Sequence, residues 1–158
     1  MATAYICLGS NLGDKRALLA AAVTKLNAVE GIRVARRSAD YSTPPWGVLD
    51  QDFFVNACAE LETELSPIDL LRACGKVETE LGRQRQRKWG PRLIDIDLLD
   101  YDGIVVDTPE LVLPHPFVLQ RAFVLMPLAE IAPELRIGGT TVKEALAKCD
   151  AAGIWRLD

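Results

Sequence analysis

Gly90-Pro91-Arg92-Leu93-Ile94-Asp95-Ile96-Asp97-Leu98-Leu99-Asp100 (GPRLIDIDLLD) is the stretch on which the reading of this chain turns. Apolar residues at alternate places mark a strand with one face in a core, so Arg92 to Tyr101 is read as a strand. The other alternate places hold Asp95 and Asp97, two like charges on one face with Cα atoms roughly 6–7 Å apart. Unpaired, they would repel one another. A hard divalent cation removes that repulsion: Mg²⁺ is commonly held by one or two carboxylates while phosphate oxygens and water complete its octahedron. A merely solvated sheet face would also account for a bare Asp-x-Asp, and the residues just upstream shift the balance toward the cation.

Those residues are Arg83, Arg85, Arg87, Lys88 and Arg92, with Trp89 among them. A basic run is usually a solvated loop. Here it leads straight into a metal-type carboxylate pair, the combination a polyphosphate and its metal require, since Arg presents planar bidentate donors to phosphate oxygens. No Gly-x-x-x-x-Gly-Lys-Ser/Thr loop is present, so phosphate binding would rest on side chains rather than on a backbone cradle. The formal net charge of −4 argues against a general binder of nucleic acid or anionic membranes. One His and the widely separated Cys7, Cys58, Cys74 and Cys149 support neither a zinc site nor a thioredoxin-type pair, and the thiols are read as buried and reduced.

With 158 residues the chain has the size of a single domain. It carries no signal-peptide pattern and no apolar run of membrane-spanning length, so a cytoplasmic location is expected; a monomer is expected as well. Working outward, Ala2 to Leu8 reads as a strand and Gly9 to Gly13 as a turn, with Asp14 capping a helix over Lys15 to Val29 that stops near Gly31. Ile32 to Tyr41 reads as a second strand and Ser42 to Gly47 as a loop stiffened by two prolines. Asp52 to Glu64 is a third strand, with Phe54, Asn56 and Cys58 on one face. Ser66 caps and Pro67 opens a helix to about Leu81. The strand over Arg92 to Tyr101 is followed by a turn at Asp102-Gly103 and a return strand over Ile104 to Val106. Pro114-His115-Pro116 is another stiff loop, and short helices are expected over Arg121 to Ile131 and Thr141 to Cys149. The order βαββαβ with C-terminal additions predicts an α+β, ferredoxin-like sandwich, its largely antiparallel sheet covered by helices.

Phe54 and Phe123 are, on their own, ordinary core residues. Asn56 shares the face of Phe54, however, and the Thr43 to Gly47 loop offers backbone donors and acceptors nearby. A flat heterocycle wants aromatic stacking on its faces and paired polar groups on its edge.

Taken together, Tyr5 to Gly13, Tyr41 to Gly47, Asp52 to Ala57, Gly82-Arg83, Trp89 to Leu98, Pro114-His115-Pro116 and Arg121 to Pro133 resemble the 6-hydroxymethyl-7,8-dihydropterin pyrophosphokinases of folate biosynthesis, in that family's order and across nearly the whole chain. The resemblance implies that ATP donates its β,γ-diphosphate to the pterin hydroxymethyl group, leaving AMP, with two Mg²⁺ ions on Asp95 and Asp97. It implies that Phe54 and Phe123 sandwich the pterin while Asn56, with Thr43, Pro44 and Trp46, reads its edge. Arg83 and Arg92 would bind phosphates and offset charge developing in the transfer; Glu78, Trp89, Leu98, His115 and Arg121 would complete the ATP site. Residues 84–88 would belong to a lid that closes over the nucleotide. The chain departs from the family at Gly75, Glu110, Val112 and Phe117, where other members place polar or basic nucleotide contacts. Without the resemblance, a metal-dependent phosphodiesterase or a ligand-binding module without chemistry would remain open; neither brings together the cations, the Thr-Pro-Pro loop and the Phe-x-Asn pair.

Overall fold

The structure, a computed structural model, describes residues 1–44, 53–83 and 93–157. β1 (Ala2–Ser10) leads through Gly13, at φ 64°, into α1 (Lys15–Asn27), whose first turn is capped by Asp14 accepting from the Ala17 N–H at 3.1 Å. Gly31, at φ 89°, then turns the chain into β2 (Ile32–Arg37). β4 (Phe54–Thr63) runs the length of the sheet, and α2 (Pro67–Arg83) follows, with Ser66 Oγ accepting from the Asp69 N–H. β5 (Asp95–Tyr101) completes the sheet core.

Every pairing among the described strands is antiparallel, and with β3 (Tyr41–Thr43) and β10 (Trp155–Arg156) the sheet order is β10-β3-β4-β1-β5, with β2 also pairing to β4. One face packs Ile6 and Leu8 of β1 and Ala57, Ala59 and Leu61 of β4 against Leu19 and Leu26 of α1 and Leu70, Val77 and Leu81 of α2. Each such fully buried Leu or Ile contributes roughly 1.5–3 kcal/mol. The other face carries Tyr5, Cys7, Cys58 and Leu99 under Val124, Leu125 and Leu128 of α3 (Ala122–Ile131) and Val142 and Ala145 of α4 (Val142–Ala147). No described helix is long and apolar enough to cross a membrane.

Two sequence expectations need correction. The strand expected over Ile32 to Tyr41 is broken into β2 and β3 (Tyr41–Thr43). Ser38 still pairs with Cys58, but Asp40 turns inward, where Arg16 and Arg37 both hold its carboxylate at 2.9 Å. Two guanidiniums compensate that buried charge and hold the chain out of ladder geometry. The turn at Asp102-Gly103 exists, with positive φ at both residues, yet Ile104 to Val106 does not return along β5. Val106 instead pairs with Leu113 in a separate hairpin of β6 (Val106–Asp107) and β7 (Val112–Leu113). Beyond it lie a hairpin of β8 (Arg136–Ile137) and β9 (Thr140–Thr141), and β10 (Trp155–Arg156), which extends the sheet beside β3.

Candidate active site

β5 forms one edge of the sheet. Asp97 stands opposite Cys7 and Asp95 opposite Gly9, so both carboxylates rise from the face that α3 covers, while Ile96 and Leu98 enter the core beneath α1 and α2. Asp95 is exposed and Asp97 half-buried. Between them, the Ile96 N–H donates to Glu78 Oε2 of α2 at 2.8 Å. A sheet edge presents N–H groups that need partners, and Glu78 supplies one where the two carboxylates must be held in line. Glu78 thus acts on the strand that carries the aspartates. Leu98, expected at the nucleotide, has its side chain on the opposite face and only 4% exposed.

Asn56 is buried, and its Nδ2 donates to Thr43 Oγ1 at 2.8 Å. Register brings Gly9 opposite Asn56, where an added Cβ would lie 2.4 Å from Asn56 Oδ1. Gly9 was expected to serve a turn; it lies within β1, and its missing side chain makes room for the Asn56 amide.

Thr43, Pro44, Phe54, Asn56, Asp95, Asp97, Arg121 and Phe123 line one cavity of about 180 Å³. Its walls come from the end of β3, the start of β4, β5 and the first turn of α3, segments far apart in sequence. Phe54 and Phe123 are half-buried, with ring surface left to offer a ligand. The cavity also touches Cys7 and Gly9, which sequence reasoning did not assign to the site. Alternation along β1 puts Cys7 on the cavity face, but only cross-strand register says what lies opposite it.

At the cavity mouth, the Arg121 guanidinium carbon sits 5.7 Å from the centre of the Phe123 ring. His115 Nδ1 accepts from the Phe117 N–H at 3.2 Å, which places the proton of the neutral ring on Nε2. Burial holds the His115 pKa below its ordinary value; Asp97 opposes that shift and Arg121 adds to it. Glu110, which would repel a triphosphate if its charge stood alone, meets Arg72 of α2 through both oxygens at 3.3 and 3.4 Å. The side chain of Arg83 lies outside the described part of the structure, as do Trp46, Trp89, Arg92 and residues 84–88 of the expected lid.

Residues 5–133 match the model of the 7,8-dihydro-6-hydroxymethylpterin-pyrophosphokinase (HPPK) family. A 2-amino-4-hydroxy-6-hydroxymethyldihydropteridine pyrophosphokinase of Methylorubrum extorquens is 61% identical over 158 residues, the whole of both chains. Its counterpart in Pseudomonas aeruginosa is 43% identical over 154 residues, covering 97% of this chain and 95% of that one. Among solved structures, Plasmodium falciparum HPPK-DHPS with pteroate superposes with a TM-score of 0.75 at 14% identity, over 93% of this chain and 42% of that chain, a likeness of fold alone. A match of this extent, joined to full-length relatives, places the chain in the 7,8-dihydro-6-hydroxymethylpterin-pyrophosphokinase family.

Proposed function

We propose that the chain transfers the β,γ-diphosphate of ATP to the hydroxymethyl oxygen of 6-hydroxymethyl-7,8-dihydropterin, a step of folate biosynthesis, and that it requires Mg²⁺ to do so. The hydroxymethyl oxygen bonds to the β-phosphorus and the bridge to the α-phosphate breaks. AMP leaves with the bridging oxygen, and the hydroxyl proton passes to water.

The observation that carries this reading is the single cavity in which two aromatic rings and a buried amide meet a carboxylate pair and a guanidinium. Phe54 and Phe123 would hold the flat ring by its faces, and Asn56, braced by Thr43, would meet its polar edge. Because that amide is already ordered, little side-chain entropy remains to be lost on binding. Asp95 and Asp97 fit a hard cation in chemistry and spacing, even though no group of three metal-ligating side chains forms among the described residues; Mg²⁺ needs only one or two carboxylates when phosphate supplies other oxygens. Bound there as two ions, Mg²⁺ would offset triphosphate charge and lower the pKa of the attacking hydroxyl. Arg121 and His115 would receive the phosphate tail, the latter through its Nε2 hydrogen. Arg83 and Arg92 would offset charge developing in the transfer, with Trp46 at the pterin and Trp89 at the nucleotide. The sheet order β3-β4-β1-β5, with α1 and α2 on one face, supports the ferredoxin-like reading of the βαββαβ core.

Phosphorus NMR of the protein with ATP, Mg²⁺ and the pterin tests the proposal, with controls lacking pterin or metal. AMP and a new diphosphate ester are expected only when all three are present. Asp97→Ala should slow their appearance by several orders of magnitude while far-UV circular dichroism is unchanged. ADP would mean an ordinary kinase, and pterin-independent breakdown a hydrolase; either would overturn the reading.

A further inference from the structure

We infer that Phe117 is a positioning residue for the nucleotide phosphates, setting Arg121 with its ring and His115 with its backbone N–H. This rests on the function proposed above, which assigns Arg121 and His115 to the triphosphate.

Phe117 is 55% exposed and belongs to neither core cluster. Its contacts are nonetheless specific. The Arg121 guanidinium carbon lies 5.2 Å from the Phe117 ring centre and 5.7 Å from that of Phe123, so the cation is flanked by two aromatic rings at the mouth of the cavity. The same Phe117 ring meets His115 edge-on, with centroids 6.1 Å apart and planes at 66°. Pro116 has no N–H, so the Phe117 amide is the first after His115 that can donate, and it bonds His115 Nδ1 at 3.2 Å. That bond selects the tautomer whose Nε2 carries the hydrogen a phosphate oxygen would accept.

The physical gain is pre-organisation. A free Arg side chain loses much rotamer freedom when it meets an anion, and aromatic contacts that restrict it beforehand reduce that loss. Contact through the faces of a guanidinium leaves its in-plane N–H donors available to oxygens. A basic residue at 117 would add a charge of its own but repel Arg121. An aromatic ring exchanges that extra charge for alignment of the two groups already present.

The test is calorimetric binding of α,β-methylene-ATP with Mg²⁺ to the full chain, alongside steady-state kinetics. Phe117→Leu keeps bulk and apolarity but removes the ring, and should weaken nucleotide binding roughly two- to fivefold, the worth of one exposed cation–π contact, with kcat at saturating ATP little changed. Phe117→Tyr should restore wild-type affinity. In an Arg121→Ala background Phe117→Leu should cost nothing further. The Arg121 Nε–H signal in a ¹⁵N spectrum, displaced by ring currents in the wild type, should move toward its ordinary position in Phe117→Leu. Wild-type binding with no loss in Phe117→Leu, or an equal loss without Arg121, would overturn this inference alone. A wild type that does not bind the nucleotide would overturn the proposed function and this inference with it.

Discussion

A methyl group at position 9 would stand 2.4 Å from Asn56 Oδ1, and that amide is held from its other side by Thr43. Neither can give way without leaving a buried polar group unpaired, which costs about 1–3 kcal/mol. Gly9→Ala is therefore expected to raise the KM for pterin about tenfold or more on that basis, with the fold intact. A near-normal KM would mean that Asn56 turns aside freely. Phe123→Ala should weaken pterin binding by about 1–3 kcal/mol, the scale of losing one stacking face, read by fluorescence titration. Unchanged affinity would remove Phe123 from the sandwich. Asn56 was legible as a candidate from the strand face it shares with Phe54, and Phe123 through the family resemblance; Gly9 and Cys7 were not, because their place in the site depends on which strand lies beside β1.

At the scale of elements, caps and periodicity carried most of the reading. Asp14 and Ser66 cap the two long helices as their positions predict, because an N-cap interaction lies within four residues. α2 contains Gly75, and a Cβ added there would meet nothing within 4 Å. Gly75→Ala should stabilise the protein by about 0.5–1 kcal/mol through reduced backbone entropy in the unfolded chain, seen as a higher urea midpoint at unchanged slope. A drop in the midpoint would mean that α2 needs the glycine for close packing after all. The break between β2 and β3 was not legible, because it depends on Asp40 finding Arg16 on α1 as well as the nearby Arg37. The strand after Asp102-Gly103 was misread for the same kind of reason: its partner is β7, which a local pattern does not name.

Across the whole molecule, two buried tyrosines tie strands to carboxylates. Tyr5 donates to Glu60 at 2.8 Å within the sheet, and Tyr41 donates to Glu130 at 2.7 Å, linking β3 to α3. Burial, helped by the neighbouring carboxylate, pushes each phenol up to about 12. A folded-state pKa raised above the unfolded value of about 10 favours the protonated form, so this stability is complete below pH 10 and is lost as the pH rises toward 12. Urea midpoints are expected to fall across that window, and more shallowly in the Tyr5→Phe, Tyr41→Phe double variant. Parallel curves would show that these phenols do not govern alkaline stability.

The sequence by itself determined the main strands and the four described helices, because alternation, helical spacing and caps are local properties that each segment carries alone. It also made the carboxylate pair visible, since i and i+2 on a strand must share a face. Only the tertiary structure decided that this pair, the Asn56 amide, two phenyl rings and Arg121 open into one cavity. That convergence depends on strand order and register, relations between residues up to 116 positions apart, as between Cys7 and Phe123. The departure at Phe117 shows the same division. Its aromatic side chain stands in the sequence, while its place beside Arg121 and His115 exists only once the loop before α3 lies against β5, where the His115 N–H donates to the Leu99 carbonyl.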